Sequence, residues 1–206
     1  MSQPVVDAEG VVGRRFQFCP WIEGWAEGQD DFMITCPRCS EFAARCCQHY
    51  KYESEKSCHH YRIVFTDGAC LSNGKSHATA GIGSAIGATD AEFHQWSIPI
   101  DDSVDCFPKQ SNQRAELLAA IYGLRLLSDA RSNGDVEDDH EHETAQVLSG
   151  HMEDKPYWVV TTDSEYVVKG MTEWLPRWKV WCLLFSPILV PICENLTYAQ
   201  SVNLFF

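Results

Sequence analysis

Ile63-Val64-Phe65 is a short apolar run that breaks off at Thr66-Asp67-Gly68. Runs of this length bounded by turn residues read as buried strands, so a first strand is predicted from Tyr61 to Phe65, ending at the Asp-Gly pair. Ala80 to Ile86 and Phe93 to Ile100 predict two further strands, with Asn73-Gly74 as the turn signal between the first two. The period then changes. Ala115, Leu118, Ala119, Tyr122 and Leu126 recur three and four residues apart, which is helical spacing, and Asn112 is the predicted N-cap. Trp158 to Thr162 restores a strand pattern, and a second helix is predicted from about Ser164.

A strand, a helix and a further strand imply a crossover connection, which makes the first and fourth strands parallel. Asp67 and Asp163 then lie at the same ends of neighbouring strands, where functional groups of open α/β sheets collect. Glu116, on the first turn of the crossover helix, is placed to project into the same space. Periodicity alone predicts an α/β fold; the strand order that makes these strands neighbours is implied by the family resemblance given below.

Outside this patterned stretch the chain has three different characters. Residues 1–60 are rich in Cys, Trp and Gly, have no clean period, and form a predicted N-terminal extension. Residues 129–157 form an acidic insertion, in which Asp129, Asp135, Glu137, Asp138, Asp139, Glu141, Glu143, Glu153 and Asp154 are set against Arg131. Such a run is by default a solvated loop. It accounts for much of the formal net charge of −13, a balance that by itself argues against a nucleic-acid binder. Because the charge is concentrated in one insertion, it need not touch a binding face. Residues 180–206 form an aberrant apolar tail without Lys or Arg, in which Glu194 is the sole acid.

A chain of 206 residues, 45% of them hydrophobic, suits one domain with appendages. No run reaches the roughly 18–20 apolar residues of a membrane span, so no membrane partner is expected. Met1 to Gly13 lacks a basic n-region and an apolar h-region. The cysteines are therefore expected to be reduced, in an intracellular rather than a secreted protein.

Asp67, Glu116 and Asp163 are the candidate chemistry. Each has an ordinary explanation alone: a turn at Asp67-Gly68, a first-turn acid favoured by the helix dipole at Glu116, an N-cap pair at Asp163-Ser164. Together, two carboxylates at strand ends and one on a helix form an oxygen-donor set for hard divalent cations, as a two-metal phosphoryl-transfer site requires. The blocks that carry them are Thr66-Asp67-Gly68-Ala69-Cys70, Asn112-Gln113-Arg114-Ala115-Glu116-Leu117 and Thr162-Asp163-Ser164. In this order they resemble the type 1 ribonuclease H family. Asn73-Gly74, Ala80-Gly81-Ile82-Gly83 and the stretch from Tyr166 to Lys179 extend the resemblance, which covers residues 61–179.

The resemblance implies a ribonuclease H-like mixed sheet with flanking helices. It implies a metal-dependent endonuclease that hydrolyses the RNA strand of RNA/DNA hybrids, leaving a 5′-phosphate and a 3′-hydroxyl. Mg²⁺ or Mn²⁺ is the implied cofactor, with Asp67 bridging two ions and Glu116 and Asp163 holding the second. Without metal, acids clustered in this way repel one another, so their pKa values are expected to split. The resemblance also implies that Asn73, Asn112 and Gln113 meet the RNA strand, since amides can both donate to and accept from a 2′-hydroxyl. Lys109 and Ser111 match a pocket for a DNA-strand phosphate. Tyr166, Trp174 and Trp178 match aromatic positions beside the DNA strand, although Trp174 and Trp178, four residues apart, equally fit an apolar helix face.

After Lys179 the resemblance stops. The family continues with a basic loop, a further strand and helix, and a fourth catalytic Asp, whereas no Asp follows Asp163 here. The C-terminal part of the fold is therefore expected to be missing, and metal affinity and rate to be reduced. A translated intron or frame error at Lys179 is one expected origin of the tail, a short isoform the other. In the N-terminal extension, Cys36-Pro37-Arg38-Cys39 is a CxxC pair followed by further Cys and His, and Cys36, Cys39, Cys46 and Cys58 are the candidate zinc ligands. The alternative is reduced structural cysteine, since thiols pack as small hydrophobes. Two functional alternatives accompany the nuclease: a catalytically impaired hybrid-binding protein and a zinc-stabilised interaction module.

Overall fold

The computed structural model describes residues 13–18, 20–28, 31–36, 39–45, 59, 61–88, 94–105, 109–132, 157–174 and 202–205. Three short strands and a short helix come first: β1 (Gly13–Arg15), α1 (Pro20–Trp25), β2 (Met33–Thr35) and β3 (Phe42–Ala44). Then follow β4 (Tyr61–Leu71), β5 (Thr79–Ala85), β6 (Gln95–Ile100), the crossover helix α2 (Asn112–Ser132) and β7 (Tyr157–Thr161). α3 (Glu165–Lys169) runs on into a π-helical turn, Gly170–Trp174, and β8 (Val202–Phe205) is the last described element.

β4 organises the sheet because both of its edges are used. On one edge β7 runs parallel to it, from Tyr61↔Tyr157 to Phe65↔Thr161, as the crossover requires. On the other edge β5 pairs antiparallel, from Phe65↔Ala85 to Leu71↔Thr79, and β3 takes over where β5 leaves, at Ala43↔Arg62. β6 extends the sheet beyond β5, β2 beyond β3, and β8 with β1 beyond β7, giving an eight-stranded mixed sheet. β6 carries Pro99, which sits opposite Gly81.

Here two expectations are corrected. The first strand does not end at Asp67-Gly68 but continues to Leu71, because β5 goes on pairing with it after β7 has stopped. The turn lies later, where Gly74 has φ 73° and the Lys75 N–H donates to the Ser72 carbonyl at 3.0 Å. Ser111, not Asn112, caps α2: its Oγ accepts the Arg114 N–H at 3.3 Å, and Asn112 is the first helical residue.

The period-2 alternation of β4 sorts its side chains between two layers. Val64 joins Ala120, Leu124, Leu127, Val160, Val167 and Val168 in the core beneath α2 and α3. Ile63 packs on the other face with Ala44 and Val159, flanked by Phe16, Phe18, Met33, Phe42 and Phe65. Fully burying a side chain such as Leu127 or Val160 is worth roughly 1.5–3 kcal/mol, so the first layer holds the crossover helix down. On the second face an apolar cavity of about 890 Å³, lined by Phe16, Phe18, Ile63, Phe65, Trp96 and Val159 among others, reaches Asp67 and Asp163.

Residues 1–60, expected as a separate extension, contribute β1, β2 and β3 to the same sheet. Within the apolar tail, Val202–Phe205 pairs parallel with β7, from Trp158↔Val202 to Thr161↔Phe205, so part of the tail occupies a sheet position. Most of the acidic insertion lies outside the described residues. Among the described residues no helix is long and apolar enough to cross a membrane.

Candidate active site

Asp67 and Asp163 stand two residues beyond the last parallel pair, Phe65↔Thr161, so register alone brings them side by side. Asp163 occupies the turn between β7 and α3, whose N-cap Ser164 accepts the Val167 N–H through Oγ at 3.4 Å. Glu116 comes from the second turn of α2. Carboxylate oxygens of Asp67, Glu116 and Asp163 lie within 4.8 Å of one another, with Glu116 buried and both aspartates exposed.

The position of Glu116 is set by backbone. Gly68 lies directly under α2, and a Cβ there would come within 2.3 Å of the Ala115 carbonyl carbon and the Glu116 nitrogen. Only glycine permits this approach, and it lets the Gly68 N–H donate to Glu116 Oε2 at 3.2 Å. Burial pushes the Glu116 carboxyl up to about 7, the charges of Asp67 and Asp163 push in the same direction, and the Gly68 N–H opposes them. Burial is thus the first cause of the Glu116 shift, and the repulsion expected between clustered acids adds to it. Three oxygen donors converging with unrelieved mutual repulsion fit a hard divalent cation of the Mg²⁺ or Mn²⁺ class.

Several of the residues expected to contact nucleic acid gather beside this cluster. Asn73 Oδ1 accepts the Asn112 N–H at 3.1 Å, and the Gly74 N–H donates to the Gln110 carbonyl at 3.3 Å, so the β4–β5 turn is docked on the start of α2. Asn112 and Gln113 are exposed there, with Lys109 exposed and Ser111 half-buried just before them. Asn112 is four residues from Glu116, on the same side of the helix. Arg114 makes a two-point ion pair with Asp105, which ties the segment after β6 to this helix start. Tyr166 and Trp174 meet edge-to-face with ring centroids 5.4 Å apart, forming one aromatic patch beyond Asp163. Trp178 lies outside the described residues.

Of the four expected zinc ligands, Cys36 and Cys39 are brought together, whereas Cys46 and Cys58 lie outside the described residues. His59, absent from the expected set, joins the two thiols, with its Nε2 3.3 Å from Cys39 Sγ. Sequence offered no means of choosing it from the neighbouring Cys and His. Burial pushes the Cys39 thiol up to about 11, helped by its hydrogen bond to Cys36 and by the Glu41 charge, against a lowering backbone hydrogen bond from Glu41.

A mixed sheet with a helical crossover between parallel strands, and three carboxylates where those strands meet the crossover helix, defines an α/β protein with a hard-cation type of site. The RNase H family model matches residues 59–197, about two-thirds of the chain and reaching past Lys179, and the chain belongs to the RNase H family. It is 30% identical over 128 residues to Ribonuclease H of Schizosaccharomyces pombe, covering 62% of this chain and 36% of that protein. It is 31% identical over 116 residues to Ribonuclease H of Bordetella avium, covering 56% and 52%, and 31% identical over 117 residues to mouse Ribonuclease H1, covering 57% and 30%. The chain thus spans between 30% and 52% of the length of these curated relatives. Among solved structures it is similar to the solution structure of the PFV RNase H domain, with a TM-score of 0.41 and 20% identity over 70% of this chain and 76% of that one.

Proposed function

We propose that the chain is a metal-dependent endonuclease that hydrolyses the RNA strand of RNA/DNA hybrids, with Asp67, Glu116 and Asp163 holding Mg²⁺ or Mn²⁺. The observation that carries this reading is the meeting of three carboxylates, one buried and two exposed, within 4.8 Å in a chain of the RNase H family. When bound, the cations supply Lewis-acid chemistry to the displacement at the scissile phosphate. The protein's own contribution is positional. Gly68 fixes Glu116, and the β4–β7 register fixes the two aspartates. Without a compensating charge, burial and the neighbouring aspartates push the Glu116 carboxyl up to about 7. Asn73, Asn112 and Gln113 are proposed to read the 2′-hydroxyl of the RNA strand. Lys109 and Ser111 are proposed to hold a phosphate of the DNA strand, with Tyr166 and Trp174 stacking nearby.

The test is cleavage of a labelled RNA/DNA hybrid with Mg²⁺ or Mn²⁺, alongside duplex DNA and an Asp67→Asn control. RNA-strand cutting that Asp67→Asn abolishes is the expected result. Cutting that Asp67→Asn leaves intact, or cutting of duplex DNA at the same rate, would count against the proposal. A second reading, a hybrid-binding protein with an impaired metal site, is favoured by the lack of Asp among residues 164–197, which the RNase H family model still matches. It predicts salt-dependent hybrid binding with no cleavage.

A further inference from the structure

We propose that Cys36, Cys39 and His59 bind a zinc ion that clips the β2–β3 hairpin to the entry of β4. All three donor atoms lie within 4.8 Å of one another. A tetrahedral ion with Zn–S of about 2.3 Å and Zn–N of about 2.0–2.1 Å sets its ligand atoms roughly 3.5–3.8 Å apart, so small adjustments seat it. The donors come from two separate pieces of chain. Cys36 directly follows β2, and Cys39 lies in the turn that leads to β3. That turn is tightly built: the Cys36 N–H donates to the Glu41 carbonyl at 2.9 Å, the Ser40 N–H donates to the Cys36 carbonyl at 2.8 Å, and Ser40 has φ 59°. His59 stands two residues ahead of β4.

Neither thiol is in a disulfide, and Cys36 is buried to 1% exposure. Two sulfurs and an imidazole form a soft donor set, which selects zinc over the hard cations suited to the acids. The hairpin reaches β4 by two further contacts, the Ala43↔Arg62 pairing and the Arg62–Glu41 ion pair, whose two hydrogen bonds are both 2.8 Å. Glu41 is the residue whose carbonyl closes the Cys36 turn, so the ion, the turn and the ion pair brace one corner of the sheet.

The test is the metal content of the full chain as purified, for the parent, Asp67→Asn, Cys39→Ser and His59→Cys. About one zinc per chain is expected in the parent, in Asp67→Asn and in His59→Cys, with loss in Cys39→Ser. Replacing zinc by cobalt is expected to give intense tetrahedral bands with thiolate charge transfer, stronger by about half in His59→Cys as two thiolates become three. Absence of zinc from the parent even after refolding with added zinc overturns the proposal. So does zinc that Cys39→Ser leaves unchanged, or that disappears only in Asp67→Asn, since the ion would then belong to the acids. Should Cys39→Ser fail to fold, an unchanged charge-transfer intensity in His59→Cys is decisive against it.

Discussion

His59 and Asp67 lie eight residues apart, and each belongs to a different three-donor cluster. The acid cluster is assembled by long-range pairing: a strand, its parallel neighbour and the helix that crosses between them each supply one group. The Cys/His cluster is assembled mostly within one tight turn, with a single distant member. In the first, position is dictated by register and by backbone contact, and the donors are hard oxygens. In the second, position is dictated by local turn geometry, and the donors are soft. The contrast teaches that one segment of chain can serve two sites of unlike chemistry when rigid sheet pairing separates them.

The largest break in that contrast is expected from Asp67→Asn. Losing one directly acting charged group costs on the order of 10²–10³-fold in rate, about 3–4 kcal/mol, which hybrid cleavage assays measure. Zinc content is expected to be unaffected. Gly68→Ala comes next. The added methyl meets the backbone of Ala115 and Glu116 and lifts α2, with an expected loss of about 1–3 kcal/mol in denaturant unfolding and a fall in activity alongside. An unchanged unfolding midpoint would show that the helix gives way easily.

A smaller effect is expected from pH in metal-free protein. Glu116 holds its proton up to about 7 in the folded chain, against an ordinary value of 4.5. Between those values the unfolded chain binds fewer protons, so stability falls as pH rises through this window. The expected loss is about 1–2 kcal/mol after solvent screening by the exposed neighbours, read from thermal unfolding at pH 5 and pH 7.5. Glu116→Gln removes the slope, and Mg²⁺ reduces it. If the slope persists in Glu116→Gln, another group is responsible. The smallest effect is expected from Arg62→Met, which leaves Glu41 unpaired at the Cys/His corner. About 1 kcal/mol of stability is expected to go, with cleavage per folded molecule preserved.

The acid cluster was legible in sequence because each member sits in a block that resembles the family's, and that resemblance supplied the strand order that sets the two aspartates side by side. The strand end was misread because Asp67-Gly68 has the local chemistry of a turn. Only the continued pairing with β5 and the closeness of α2 reveal the glycine as a contact point. Asn112 and Ser111 are both good caps, and a single residue of helix phase decided between them. The N-terminal elements were invisible because three-residue strands carry no measurable period. Their support comes from pairing with neighbouring strands, β1 with β8, β2 with β3 and β3 with β4, and from aromatic packing around Phe16, Phe18 and Tyr61. Val202–Phe205 escaped notice for a related reason: in an evenly apolar tail no four residues stand out.

The borders of the sheet have a consequence for behaviour in concentrated solution. Among the described residues, its outermost strands are β1 and β2, each of three residues, and β6, which contains Pro99. Short borders offer few free backbone groups to a second molecule, and proline has no N–H to donate to an added strand. Runaway strand-to-strand growth between copies is therefore disfavoured at every described border.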